Sequence, residues 1–144
     1  MKIGRFAPSP TGPLHMGSLI TALASYLDIK SKNGLWLVRI DDLDPPRTVP
    51  GSDQSILESL FAHGLVSDRE VFYQSKNLVK YERQLAKLLP HVYSCDCSRK
   101  ILKRHKIYPG TCRNKALLMG TAALRIKVPD TQISFNDNIR GETI

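Results

Sequence analysis

Three cysteines within one short stretch point most directly to a chemical role. Cys95 and Cys97 are one residue apart, and Cys112 follows them. Thiolates bind zinc tightly, and structural zinc sites are usually four-coordinate. From this chemistry alone the fourth ligand would be His105 or His91, because imidazole is a far commoner zinc ligand than phenol. Three reduced cysteines without a metal are the alternative interpretation.

A loop rich in proline and glycine, residues 7–13, joins the first predicted strand to the first predicted helix. The unpaired N–H groups and partial positive charge of a helix N-terminus suit a nucleotide phosphate. Gly12 and Gly17 would let a ligand approach the backbone closely. His15, just before the helix, could donate a hydrogen bond to a phosphate oxygen. A rigid proline turn capped by a histidine is the alternative, and the loop matches neither the Walker motif nor the dinucleotide fingerprint.

The elements that position this loop follow the order strand, helix, strand. Residues 2–6 are a predicted strand, and residues 17–32 are a predicted helix stopped by Gly34. Residues 35–40 are an apolar run typical of a strand buried on both faces of a parallel sheet. This order is a βαβ unit with an expected right-handed crossover. The predicted inward face of the helix consists of Leu19, Ile20, Leu23, Ala24 and Leu27.

Two more helices and two more strands are predicted beyond an acidic turn at residues 41–47. Ser52 or Asp53 is expected to cap the second helix, which ends at Gly64, and Ser75 to cap the third. The predicted inward residues are Ile56, Leu57, Leu60 and Phe61 in the second helix and Leu78, Tyr81, Leu85 and Leu88 in the third. The predicted strands are residues 92–97 and 122–128. Only two or three strands suit a parallel sheet, which predicts an α/β fold that is part of a larger domain.

Charge and composition limit the kind of partner. The 144 residues include 21 Lys and Arg against 13 Asp and Glu, and the 42% hydrophobic content excludes a disordered chain. The net charge of +8 favours a polyanionic partner, nucleic acid before an acidic membrane surface, although a merely solvated basic surface is an alternative. No apolar run reaches the ~18–20 residues that cross a membrane. The sequence opens on a strand and not on a signal peptide, so a cytoplasmic protein without a membrane partner is expected.

Residues 5–18 resemble the ATP-binding signature of class I glutamyl-tRNA synthetases. The segment reads RFAPSPTGPLHMGS, in which His15 and Gly17 take the first and third places of the family's His-Ile-Gly-His motif and Ser18 takes the fourth. Residues 39–44 resemble the acidic segment after the family's second strand. The continuation at residues 45–51 is closer to the glutamyl-Q tRNA(Asp) synthetases, short paralogues that attach glutamate to queuosine in the tRNA anticodon loop. The likeness extends from residue 3 to about residue 141.

The resemblance implies the N-terminal part of a Rossmann-like class I synthetase domain with a small zinc-bearing insert. Residues 1–90 would be the first half of the nucleotide-binding domain, and residues 91–144 the insert with its following strands. The implied substrates are glutamate and ATP with Mg²⁺. The implied catalytic residues are His15, Gly17 and Ser18; the ATP-binding residues are Pro8, Thr11, Gly12, His15 and Gly17; the glutamate-binding residues are Arg5, Phe6, Ala7, Pro8, Ser9 and Asp41. Asp41 stands where the family has a glutamate, so its reach toward the substrate amino group is one methylene shorter.

For the cysteine cluster the resemblance implies Zn²⁺ held by Cys95, Cys97, Tyr108 and Cys112. A phenolate ligand needs its proton removed, and a metal can stabilise that anion as it does a thiolate. The insert at residues 98–106 carries five positive side chains. These would meet tRNA, with tRNA(Asp) as the expected acceptor. A solvated charged face is the alternative.

The synthetase family also uses a Lys-Met-Ser-Lys-Ser loop, whose lysine stabilises the transferring phosphates, and this sequence has no such run. We therefore expect the 144-residue chain alone to form little glutamyl-adenylate. A fragment of a glutamyl-tRNA synthetase is one alternative. A catalytically inactive remnant that binds zinc and RNA is the other. A monomer is expected.

Overall fold

The structure, a computed structural model, describes residues 1–120, 122–129, 131–137 and 139–144. The chain divides into two units, residues 1–82 and 83–144. The predicted domain division after residue 90 stays a prediction. The helices and strands, in chain order, are β1 (Ile3–Phe6), α1 (Met16–Lys30), β2 (Leu35–Ile40), α2 (Ser52–Ala62), β3 (Phe72–Tyr73), α3 (Leu78–Leu88), β4 (Val92–Cys95), α4 (Arg99–Leu102), β5 (Ala123–Ile126), β6 (Phe135–Asp137) and β7 (Gly141–Thr143).

Strand β2 is the centre of a parallel three-stranded sheet in the first unit. The strand order is β1-β2-β3, which confirms the predicted parallel βαβ arrangement. Trp36, Val38 and Ile40 are buried, whereas the alternate residues of β2 are only half-buried. The expectation of full burial on both faces is therefore wrong. The ring of Trp36 stacks on Phe6 at 6.4 Å between centroids and meets the edge of Tyr26 at 5.3 Å.

Helix α1 packs on the sheet mainly through a different face from the predicted one, although the predicted Leu19 is half-buried against the core. Ala22 and Ile29 are buried, whereas Ile20, Leu23 and Leu27 are 58%, 44% and 57% exposed. The choice of face follows from close packing around Ile29. A Cβ on Gly4 would lie 2.9 Å from Ile29 Cβ, and one on Gly34 would lie 2.6 Å from Ile29 Cγ1. The apolar spacing alone did not separate the two faces, because both carry apolar residues.

Several helix ends also differ from the expectations. Asn33, and not Gly34, takes the left-handed conformation after α1, with φ of 52°. Gly51 is the N-cap residue of α2, and Ser52 makes no capping hydrogen bond. Ser75 lies in a short 3-10 turn, where its N–H donates to Asp42 Oδ1 at 2.8 Å.

The inward faces predicted for α2 and α3 fare differently. In α2, Ile56 and Leu60 are buried as predicted, but Phe61 is 73% exposed. Among the described residues of α3, no side chain is buried, so that predicted inward face is wrong. The residues concerned, Leu78, Tyr81, Leu85 and Leu88, are between 37% and 49% exposed. The sequence periodicity predicted the apolar stripe of α3. It does not reveal whether another part of the chain covers that stripe.

The second unit contains two antiparallel strand pairs, β4 with β5 and β6 with β7. Its buried cluster consists of Tyr93, Cys95 and Cys112, with Tyr108 packed against them. The strands predicted at residues 92–97 and 122–128 are confirmed in shorter form. The core of this unit is thus formed largely by the residues singled out for metal chemistry.

Candidate functional site

A cleft of about 310 Å³ lies at the N-terminus of α1, between the loop of residues 7–13 and the first turns of that helix. Of the residues predicted for ATP, glutamate or catalysis, the cleft is lined by Phe6, Ala7, Pro8, Ser9, Thr11, Gly12, His15 and Ser18. Gly17, Arg5 and Asp41 are not among the lining residues. The loop and the helix start thus bring most of the predicted set together around one cavity.

Backbone hydrogen bonds from the segment after β2 hold the proline loop in place. The Asp41 N–H donates to the Pro8 carbonyl and the Val49 N–H donates to the Pro10 carbonyl, each at 2.9 Å. Prolines lack an N–H and cannot join a regular ladder, so carbonyl acceptance from a neighbouring segment is how this loop is fixed. These hydrogen bonds within the fold consequently fix the shape of the cleft.

Ser52 is a positioning residue that the sequence reasoning assigned to a different task. Its hydroxyl accepts from Gly12 N at 2.9 Å and donates to the Gly12 carbonyl at 2.7 Å. The side chain is buried, so both bonds are shielded from water. Gly12 has φ of 147°, a conformation that favours glycine. The only sequence signal was a serine next to a glycine at a helix start, which equally fits a cap.

His15 is the N-cap residue of α1 and faces the first turn of the helix. Its Nδ1 accepts from Ser18 N at 3.2 Å, and its Nε2 lies 3.1 Å from the Ser18 hydroxyl. A Cβ at Gly17 would lie 3.2 Å from two atoms of the imidazole ring. Gly17 therefore leaves the space that the His15 ring occupies, which gives the glycine of the motif a steric reason.

The two charged residues predicted to bind glutamate differ in their surroundings. Arg5 is exposed, and within the described part of the chain its side chain makes no hydrogen bond or ion pair. Both oxygens of Asp41 accept from Arg39, the second at 2.8 Å from Nη2. This pairing raises the pKa of Arg39, mainly through the hydrogen bonds. Arg39, which the sequence reasoning did not single out, is the partner that the fold gives to Asp41.

The cysteine cluster of the second unit is arranged as a potential metal centre. The sulfur atoms of Cys95, Cys97 and Cys112 lie within 4.8 Å of one another, and all three cysteines are free thiols. The Tyr108 hydroxyl is 3.3 Å from Cys95 Sγ, and Cys97 Sγ is 3.4 Å from Cys112 Sγ. With Zn–S bonds of ~2.3 Å in a tetrahedron, ligand sulfurs lie roughly 3.8 Å apart. These donors therefore fit zinc in type and spacing.

Neither histidine considered as a fourth ligand joins this cluster in the described part of the chain. The group of possible ligand atoms contains the three cysteines and neither His105 nor His91. The Tyr108 hydroxyl, by contrast, contacts Cys95 and also accepts from Cys112 N at 3.0 Å. Of the three candidates for a fourth ligand, Tyr108 is therefore the one whose donor atom lies against the thiols in the described residues.

The thiols of the cluster have unequal proton affinities. The hydrogen bond with Tyr108 lowers the pKa of Cys95 to about 6. The hydrogen bond with Cys112 raises the pKa of Cys97 to about 11. Asp96 Oδ1 accepts from Cys112 Sγ at 3.0 Å and lies 3.5 Å from Lys115 Nζ. Proton sharing of this kind is typical of ligand groups gathered before a cation replaces the protons.

A wide cleft of about 900 Å³ lies beside the cluster in the same unit. Its lining combines aromatic rings with cationic side chains, among them Tyr93, Tyr108, Arg113 and Arg125. The basic side chains of residues 98–106 are exposed, and they flank the short helix α4, which Ser98 caps. Aromatic faces beside guanidinium groups suit the bases and phosphates of RNA.

Comparison with known proteins agrees with this geometry. Residues 3–143 match the family model described as tRNA synthetases class I (E and Q), catalytic domain. The chain is 51% identical over 141 residues to the glutamyl-Q tRNA(Asp) synthetase of Acinetobacter baylyi, covering 96% of this chain and 48% of that protein. For the glutamyl-Q tRNA(Asp) synthetase of Vibrio parahaemolyticus the identity is 51% over 142 residues, with the same coverage. The chain thus spans about half the length of the curated relatives it matches.

Two solved structures also match this chain, at lower sequence identity. A glutamate tRNA ligase from Elizabethkingia meningosepticum, in complex with its amino acid, matches with a TM-score of 0.80 and 31% identity. That match covers 98% of this chain and 35% of the other. The glutamate-tRNA synthetase of Elizabethkingia anophelis matches with a TM-score of 0.81 and 30% identity, covering 98% and 36%. Within the described residues, the helices are too short or too polar to cross a bilayer.

Proposed function

The chain belongs to the class I tRNA synthetases (E and Q) through their catalytic domain, and on that basis we propose that its protein activates glutamate with ATP and transfers it to queuosine of tRNA(Asp). In the first step a carboxylate oxygen of glutamate attacks the α-phosphorus of ATP, and the bond to the β-phosphate oxygen breaks to release pyrophosphate. In the second step a hydroxyl of the modified tRNA takes the glutamyl group and AMP leaves. The names of the curated relatives support this acceptor over tRNA(Glu).

One observation carries the ATP part of this proposal, the preformed cleft at the N-terminus of α1. The N–H groups of the first helical turn and the partial positive charge of the helix suit phosphate oxygens. His15 stands at the same position and can donate to an oxygen on which charge develops. Because the loop is held by Pro8, Pro10 and Gly12 contacts before any ligand arrives, little ordering is needed on binding. Mg²⁺ would accompany the triphosphate as part of the substrate.

The glutamate part relies on Arg5, Ser9 and Asp41. An arginine pairs with a carboxylate through two parallel hydrogen bonds, and a serine hydroxyl adds a neutral one. The free guanidinium of Arg5 suits the substrate carboxylate. Both carboxylate oxygens of Asp41 accept from Arg39, which orients the carboxylate.

Binding of a nonhydrolysable ATP analogue to the purified chain tests the cleft. His15→Ala removes the imidazole, and Gly17→Ala crowds it with a methyl group 3.2 Å away. Both are expected to weaken binding about tenfold or more, as measured by calorimetry. His63→Ala is the matched control, because His63 is an exposed histidine at the end of α2 and its ring, within the described residues, contacts the Ser59 carbonyl of its own helix. Equal losses in the control, or none in the two test variants, would contradict the assignment.

We assign Cys95, Cys97, Tyr108 and Cys112 as the residues that would hold zinc. The metal would link the end of β4 to the segment that carries Tyr108 and Cys112, and would take the place of a larger apolar core. Metal analysis of the purified chain is expected to give about one zinc per chain. Tyr108→Phe and Cys112→Ser should both weaken binding, whereas His105→Ala should not. A loss with His105→Ala and none with Tyr108→Phe would reverse the choice of fourth ligand.

The acceptor is tested by comparing glutamylation of queuosine-containing tRNA(Asp), tRNA(Asp) without queuosine, and tRNA(Glu). We expect product only with the first. Transfer to tRNA(Glu) would favour the glutamyl-tRNA synthetase alternative. Binding of tRNA to the chain should weaken as salt rises, because phosphate contacts release counterions.

A further inference from the structure

Strand β5 places Arg125 beside the cysteine cluster. Arg125 is opposite Tyr93 of β4, and Cys95 is opposite Ala123. Side chains opposite one another in an antiparallel pair, and those two residues apart on a strand, point to the same face. Arg125, Tyr93 and Cys95 therefore share one face of this strand pair, the face on which Tyr108 packs.

The guanidinium of Arg125 lies over the ring of Tyr108, with Cζ 4.1 Å from the ring centroid. Its Nε atom is buried and has no hydrogen-bond partner among the described residues. A buried donor without a full set of partners is costly. Negative charge on Cys95 or Tyr108 would offset that cost.

A metal centre of this composition has such a charge. Three thiolates and a phenolate around one divalent cation leave a formal charge of about −2. On the Cys112 side, Asp96 adds a further negative charge and is paired with Lys115. On the other side of the metal centre, Cys95 and Tyr108 face the guanidinium of Arg125. This group stays protonated at any ordinary pH.

We propose that Arg125 is the positioning residue of this metal centre: its guanidinium covers the Tyr108 ring and balances the charge of the metal-bound Cys95 and Tyr108. The proposal rests on the zinc site put forward above. A cation held over the face of the ring is attracted to its π-electrons and helps to hold the ring in place.

Zinc affinity of three variants tests this role, measured by competition with a chromophoric chelator. Arg125→Gln is expected to weaken Zn²⁺ binding about 10- to 100-fold, the range found for partners of metal ligands. Arg125→Lys keeps the charge and should restore most of the affinity. Arg104→Gln is the matched control, because it removes the same charge from an exposed turn of the same unit. Its affinity should equal that of the unchanged chain.

Cobalt spectra and circular dichroism separate the possible failures. With Co²⁺ the thiolate charge-transfer band should persist in Arg125→Gln at saturating metal, which shows that the unit still folds around its ligands. Unchanged zinc affinity in Arg125→Gln, an equal loss in Arg104→Gln, or no recovery in Arg125→Lys would each overturn the role of Arg125. Absence of zinc binding in the unchanged chain would instead overturn the proposed metal site itself.

Discussion

The two candidate sites of this chain are built in opposite ways. The cleft at α1 is formed by backbone on a packed parallel sheet, with Trp36 and Ile40 fully buried behind it. The cysteine cluster is formed by side chains in a unit whose buried cluster is little more than the ligands themselves. The packed sheet fixes the shape of the cleft at α1. In the second unit, by contrast, the ligand side chains themselves form the core that stabilises the fold. The two should therefore respond differently to mutation and to removal of a ligand.

Metal removal should have the largest effect and should be confined to the second unit. A chelator added to zinc-loaded protein is expected to raise hydrogen exchange in β4 and β5 to nearly that of an unfolded chain, since structural zinc contributes on the order of 10 kcal/mol in small zinc domains. Trp36, the single tryptophan of the chain, should keep its fluorescence. A large shift in Trp36 emission on chelation would contradict the expectation that metal removal affects the second unit alone.

Truncation of the tryptophan should affect the first unit instead. Trp36→Ala removes a fully buried ring and its contacts with Phe6 and Tyr26, so a loss of about 3–5 kcal/mol of unfolding free energy is expected. Exchange rates in β1 and β2 report this loss in denaturant. Zinc affinity should stay within about twofold, and a parallel fall in zinc affinity would show that the two sites are not independent.

Loss of the Ser52 hydroxyl should have a smaller effect, and this effect should be confined to the cleft. Ser52→Ala leaves Gly12 N–H and C=O without their partner, at a cost of about 1–3 kcal/mol. Affinity for the ATP analogue should fall by more than stability alone explains, because the loop is no longer fixed. Ser55→Ala, one turn later on α2 in an exposed position, is the control and should change neither quantity.

The smallest effect is a pH dependence in the first unit. The hydrogen bond from Lys30, with a second one from Trp36 N, lowers the pKa of Asp68. A lowered carboxyl pKa stabilises the fold above the unfolded value near 3.9, and this contribution disappears as pH falls through the lowered pKa. Unfolding followed by Trp36 fluorescence should show Asp68→Asn less stable than the unchanged chain at neutral pH, with the gap closing as pH falls through the lowered pKa of Asp68. Glu70→Gln should show no such convergence.

Predictions from the sequence were correct where a residue pattern is compatible with one structure only. The βαβ order, strand β2 and the close spacing of Cys95, Cys97 and Cys112 all appear in the structure. Predictions were wrong where the same residue pattern fits two structures. Helix α1 has apolar residues on two faces, and only the glycines around Ile29 decide which one packs.

The site residues that were missed owe their roles to contacts distant in sequence or to partner choice. Arg39 pairs with Asp41 because strand β2 ends between them and the carboxylate turns back. Ser52 looks like a helix cap in the sequence, but the chain returns to place it against Gly12. The role of Ser52 therefore leaves no local signal, whereas Arg39 and Asp41 are only two residues apart and their pairing depends on how the chain turns at the end of β2.

The contact between Ser52 and Gly12 joins residues 40 positions apart. On a ribosome, the first helix can form long before residue 52 leaves the exit tunnel, yet the loop in front of it still lacks its second support. The cleft at α1 is thus completed only after α2 has emerged and docked. A nascent chain arrested before that point would carry the whole signature motif while Gly12 still lacks its support from Ser52.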